Sequence, residues 1–290
     1  MKFEDYLLET KPQTIGKAIL STLGAMIAVF VAWIGISVIL GLAFKIGVPS
    51  GNPNFGVELK FLSIYLFVGF GVGLVALFFY RRKMQNGAIL SVLSGASFYR
   101  YRLSLVGMAL SIIILIGGTL FFEQDYITGT KTRIASLGFD KYLILVFAYS
   151  IAFMVQSTFE EVYFRGFFTQ LLRRIKIPMI AVIFITSAIF GFAHYSSTMP
   201  FGVLFAAFIM GLSFAIAAWR TNGIEISIGA HITNNIIVGG IFGAIDNEQA
   251  NSSELYLSGA LFGLLFLGGL ELALRLWPKL LDGTRTGAGS

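Results

Sequence analysis

The side chains best suited to chemistry in this chain stand where an apolar setting would penalise them. Glu160, Glu161 and Arg165 fall in STFEEVYFR (157–165), between the apolar runs KYLILVFAYSIAFMV (141–155) and YFRGFFTQLL (163–172). A charge at membrane depth is costly unless paired or hydrated, so such residues face a bundle interior. Arg165 follows Glu161 by four residues, the order that favours an ion pair on one helix face. That pairing leaves Glu160 as the spare carboxylate. The sequence has two histidines, and both lie inside apolar runs: His194 closes IFITSAIFGFAH and His231 sits in ISIGAHITNNIIVGG. Asn235 is one turn after His231, and Phe190 one turn before His194, where it can position that ring. A carboxylate, two imidazoles and an amide in one wet cavity suit hydrolysis. Glu160 is the expected general base, acting on a water that His194 helps to hold. His231 and Asn235 are the expected donors to the oxyanion of a tetrahedral intermediate. Glu161 and Arg165 serve as support.

Composition says what must carry these residues. The 290 residues are 56% hydrophobic and 12% charged, with mean hydropathy +0.81, which identifies an all-α, polytopic membrane bundle. There is no Cys, which excludes a disulfide, a thiolate metal site and a cysteine nucleophile. The net charge of +6 is read as loops beside anionic lipid, not as nucleic-acid binding. Eight spans are expected: 18–44, 61–80, 104–122, 142–160 (helical on to about 175), 178–194, 200–219, 224–243 and 256–277. The segment 86–99 is too short and polar to span and is expected along the surface. Residues 1–17 read as an interfacial lead-in and not a cleavable signal, and 281–290 as a polar tail. Without an internal repeat, the chain is expected to form one membrane domain, 1–290, with its catalytic core at 142–240. Of the 21 Lys and Arg, 15 fall on one side of these spans and 5 on the other, Arg165 aside. This bias predicts that both termini are cytoplasmic. Gly239/Gly243 and Gly259/Gly263 are candidate close-packing pairs, and Trp219 and Trp277 candidate interfacial anchors.

The spacing also sets depth. Pro178 disfavours helix at Ile177, so 160–176 and 178–194 should form a helical hairpin turning there. Glu160 and His194 each lie 17 residues from Ile177, roughly 25 Å along a helix, which puts them at one level. His231, seven residues into its span, falls within reach.

These motifs resemble a known family. EEVYFR matches an E-E-x3-R motif, FGFAH (190–194) an F-x3-H motif, and HITNN (231–235) an H-x3-N motif, in order and on the expected spans. The family is that of the CAAX prenyl endopeptidases of the Ras-converting type, with the bacteriocin-processing and self-immunity membrane proteins. The match covers roughly 142–240. It implies a glutamate-dependent intramembrane endopeptidase in which Glu160, His194, His231 and Asn235 act as above. It also implies a prenylated C-terminal peptide, or another membrane-associated peptide, as substrate partner.

Other readings compete. Two Glu and two His are good zinc ligands, but no H-E-x2-H pair occurs and Asn235 suits an oxyanion better than a metal. No cofactor is therefore expected. A proton-coupled transporter would also use intramembrane Glu and His, and a non-catalytic immunity protein would keep the fold. Phe164, Phe167 and Phe168 either line an apolar groove or pack helices together.

Overall fold

A computed structural model describes residues 2–7, 14–45, 54–84, 88–122, 124–195, 201–243 and 252–282. The described residues form a helical membrane bundle without strands, apart from one isolated bridge between Ser94 and Gly223. The helices are α1 Ile15–Phe44, α2 Phe55–Arg82, α3 Tyr101–Phe122 and α4 Gln124–Leu137. They continue as α5 Phe139–Arg174, α6 Met179–Phe192, α7 Phe201–Thr221, α8 Glu225–Asn235 and α9 Ser252–Leu276. Every expected span is helical. The expected tail at 281–290 and positions 8–13 of the lead-in lie almost wholly or wholly outside the described residues.

Among the described residues, five helices are long and apolar enough to cross a membrane: α2, α3, α5, α7 and α9. The fifth expected span is shorter than its sequence suggests. At 14 residues, α6 is about 21 Å long, short of the roughly 30 Å hydrocarbon core. It rises from the 175–178 turn, where Lys176 takes a left-handed φ of 65°, and stops just before His194. Between the third and fourth expected spans, residues 124–141 instead hold α4 and the start of α5.

The segment around 88–96 corrects the surface expectation. It is tucked into the bundle, with Val92, Ser94 and Ala96 buried. Its backbone crosses α5 at Gly166, where a Cβ would stand 2.3 Å from the Val92 carbonyl oxygen, so only glycine fits there. Ile224 N–H donates to Leu93 O at 2.8 Å and Gly95 N–H to Asn222 O at 2.8 Å. The lead-in docks at the same end: Phe3 and Leu7 are buried, and Gln170 donates to Phe3 O at 2.7 Å.

Two devices place α8. Its backbone touches that of α3: a Cβ on Gly229 would lie 2.0 Å from Ser104 O, and one on Gly107 2.1 Å from Ile226 O. Its first turn is clamped by Arg100, which donates to both carboxylate oxygens of Glu225 at 2.9 Å with both side chains buried. A carboxylate at a helix N-terminus also complements the helix dipole. Of the expected glycine pairs, Gly259 and Gly263 do receive α7, at Ala206 and at Ile209 and Ser213. Gly239/Gly243 is no helix pair, because the helix ends at Ile241 and Gly243 has φ 71°.

Candidate active site

The site is built on α5, α6 and α8. Both α5 and α8 widen into a π-helical stretch directly after their polar residues, at Val162–Phe168 and Ile236–Ile241. Such stretches recur at functional sites. Glu160 is 8% exposed and Glu161 fully buried, so neither faces lipid.

The structure brings Glu160 and His231 together: His231 Nε2 lies 3.6 Å from Glu160 Oε2. The other ring nitrogen, Nδ1, lies 2.8 Å from Glu161 Oε1. Arg165 Nη1 donates to that same oxygen at 3.1 Å. The Arg165 guanidinium is buried and sits 4.1 Å over the Phe190 ring, with Phe164 and Phe214 around it. Glu161 therefore does more than pair with Arg165: it also grips His231.

His194 follows the last turn of α6. Its Nδ1 lies 2.8 Å from the Phe190 carbonyl oxygen. A carbonyl only accepts, so Nδ1 carries the proton and Nε2 is left as an acceptor. Phe190 meets this ring through its carbonyl, and its own ring lies 4.8 Å from His194 and 5.7 Å from His231. Asn235 is engaged elsewhere. One of its N–H groups donates to Ser157 Oγ at 3.2 Å, and its oxygen accepts from Asn234 at 3.1 Å. That leaves one N–H for any further partner.

Glu160 and His194 both line a cavity of about 500 Å³ between α1, α2, α5 and α6. Its wall is aromatic, with Trp33, Phe70 and Phe159 packed at 5.1–5.6 Å. Phe164 and Phe168 line it, whereas Phe167 is fully buried and packs edge-on against Tyr80. His231 stands behind Glu160 and is 1% exposed. Gln156 donates to Glu160 Oε1 at 2.9 Å. Sequence reasoning missed Gln156, although its i, i+4 spacing to Glu160 was a readable signal. It also missed Ser157, Trp33 and the Glu161–His231 contact. Among the described residues, no three His, Cys, Asp or Glu side chains are grouped to hold a metal ion.

The segment that holds these residues is similar to known proteins. Residues 142–237 match the family described as type II CAAX prenyl endopeptidase Rce1-like. The chain is also similar to an uncharacterized protein, YyaK of Bacillus subtilis strain 168, at 24% identity over 239 residues, covering 75% of this chain and 77% of that one. No solved structure matches. The segment that carries Glu160, Glu161, His194, His231 and Asn235 is thus similar to the Rce1-like type II CAAX prenyl endopeptidases, and the apolar helices make the chain an integral membrane protein.

Proposed function

We propose that the chain is an intramembrane endopeptidase that hydrolyses a peptide bond of a membrane-associated peptide with water activated by Glu160. The carrying observation is the placement of Glu160 and His194 on one cavity, with His231 Nε2 3.6 Å behind the carboxylate. Two acceptors, the Glu160 carboxylate and His194 Nε2, suit the two hydrogens of a single water. Glu160 takes a proton from that water as its oxygen bonds to the scissile carbonyl carbon. His231, held by Glu161 through Nδ1–H, donates from Nε2 to the oxyanion as the imidazolium, with the remaining Asn235 N–H as second donor. Glu160 then gives its proton to the amine as the C–N bond breaks. No metal takes part in these steps. The 142–240 core carries the reaction within one membrane domain, and the charge bias supports cytoplasmic termini and a cytoplasmic approach for the substrate.

The aromatic wall supports an apolar or prenylated peptide as substrate. The test compares a farnesylated CAAX octapeptide with an unprenylated apolar octapeptide, on the purified protein in nanodiscs, with and without a chelator. Cleavage of the farnesylated peptide that survives the chelator supports the full reading. Preference for the unprenylated peptide removes the prenyl part, and loss of cleavage on chelation removes the metal-free part.

A further inference from the structure

One stripe of α5 faces the cavity: Gln156, Phe159, Glu160, Tyr163, Phe164 and Phe168 all line it, at the three- and four-residue steps of a single helix face. Three of these six carry polar groups. Gln156 is spent on Glu160, to which its Nε2 donates. That leaves the Tyr163 phenol, three residues after the base and on the same side of the helix. Among the described residues Tyr163 Oη makes no hydrogen bond, yet it is not one of the sealed, partnerless polar atoms, as Trp33 Nε1, Gln156 Oε1 and Glu160 Oε2 are. The hydroxyl thus keeps open surface, and the space that Tyr163 borders is the cavity. Its ring is held in place, stacked 5.8 Å from Phe159 and edge-on to Phe164 at 5.0 Å. A phenol set among aromatic rings ordinarily has its O–H paired; this one is left to pair with what enters the cavity.

The other phenol on the cavity, Tyr65, belongs to α2 and stacks on Phe61. Of the two, Tyr163 alone shares a helix face with Glu160. His231 is 1% exposed and stands behind the carboxylate, and neither it nor Asn235 is among the lining residues. A tetrahedral oxyanion formed in the cavity therefore still needs a donor on the open side. We infer that Tyr163 is a further catalytic residue, whose O–H donates a hydrogen bond to that oxyanion from within the cavity. The phenol keeps its proton throughout. As the water oxygen bonds to the carbonyl carbon, one water proton passes to Glu160, and the carbonyl π pair becomes the oxyanion lone pair that Tyr163 meets. When that pair re-forms the C=O, the C–N bond breaks and the Glu160 proton goes to the amine. This rests on the hydrolytic reading above and adds to it the donor on the substrate's side.

The experiment uses the full chain in nanodiscs and an internally quenched apolar octapeptide whose cleavage site is first found by mass spectrometry. Tyr163→Phe removes the hydroxyl and keeps the ring on Phe159. It is expected to lower kcat about 10²-fold, with KM little changed and the melting temperature unchanged. A second arm leaves the protein intact: the scissile C=O is replaced by C=S, a weaker acceptor. The loss of kcat caused by sulfur should be about tenfold larger in wild type than in Tyr163→Phe, since only wild type has the O–H contact to weaken. Equal sulfur penalties overturn the inference, as does a Tyr163→Phe enzyme with wild-type kcat, or one in which only KM rises, which would mark a binding contact. A fall in kcat with Tyr65→Phe but not with Tyr163→Phe also overturns it and gives the role to the other wall. In each of these cases wild type still cleaves and Glu160→Gln does not, so the hydrolytic reading stands. If wild type cleaves neither this peptide nor the farnesylated CAAX octapeptide, both fall.

Discussion

His231 bridges two consecutive carboxylates: Nδ1 is 2.8 Å from Glu161 Oε1, and Nε2 is 3.6 Å from Glu160 Oε2. Successive residues of a helix point about 100° apart, so a single ring meets both only by lying across the helix face. Nδ1–H must donate to Glu161, because a carboxylate only accepts. Nε2 is then turned to Glu160, at 3.6 Å just beyond direct hydrogen-bond distance.

Glu161→Gln removes the charge that orients His231 and balances Arg165. Loss of the carboxylate behind a catalytic imidazole elsewhere lowers kcat by up to about 10⁴, and a loss on the order of 10²-fold or more is expected here in peptide cleavage. The buried Arg165 cation is also left unpaired, so stability should fall by about 3–5 kcal/mol, read as a lower melting temperature in nanodiscs. Cleavage at the wild-type rate would mean that Glu161 only supports the fold.

Arg100→Leu leaves Glu225 charged and buried in the first turn of α8. It should destabilise by about 3–5 kcal/mol, and Arg100→Leu/Glu225→Leu should recover much of that loss, because breaking a buried pair costs more than replacing it. Thermal unfolding of the two variants checks the order. A double variant weaker than the single one would contradict it.

Much of the fold was legible in the sequence, because the hydrophobic runs are long and the lipid-facing solvent allows only helices. That Glu160 and His194 reach one cavity was legible too, through equal distances from Ile177. What was not legible depends on backbone approach between distant segments. The burial of 88–96 follows from Gly166 meeting Val92, and no local pattern in a short polar stretch announces such a partner. The Glu161–His231 contact depends on where α8 lies against α5, which α3 fixes through Gly107 and Gly229. The i, i+4 rule instead assigned Glu161 wholly to Arg165. Asn235 was expected on the His231 face, yet its amide is shared with Ser157 and Asn234, which spacing within one helix does not reveal.

Gly229→Ala should move α8 away from α3, since its Cβ would meet the Ser104 backbone at 2.0 Å. His231 lies two residues on. Overpacking of this kind costs about 1–3 kcal/mol, and a displacement of about 1 Å at the site can cost on the order of 10² in rate. A variant with an unchanged melting temperature and unchanged cleavage would show that the helix contact is not needed at this spacing.

Glu4 gives a pH dependence outside the spans. Burial is the main force pushing its pKa above the ordinary 4.5, with Asp5 adding to it, while a backbone hydrogen bond, Lys2 and Arg173 oppose it. A raised carboxyl pKa favours the folded state at low pH, and that advantage is lost as pH climbs from 4.5 through the folded-state value. Glu4→Gln should therefore raise the melting temperature at pH 8 and have little effect at pH 4. Equal effects at both pH values would contradict the assignment.

The most direct test follows the farnesylated and unprenylated octapeptides by mass spectrometry with wild type and Glu160→Gln, both shown to be folded by circular dichroism. The account predicts a single new carboxyl terminus from wild type and a rate at least about 10³-fold lower in the variant, as for other residues that act directly on the reacting atoms. Cleavage by Glu160→Gln at a rate near that of wild type would contradict it.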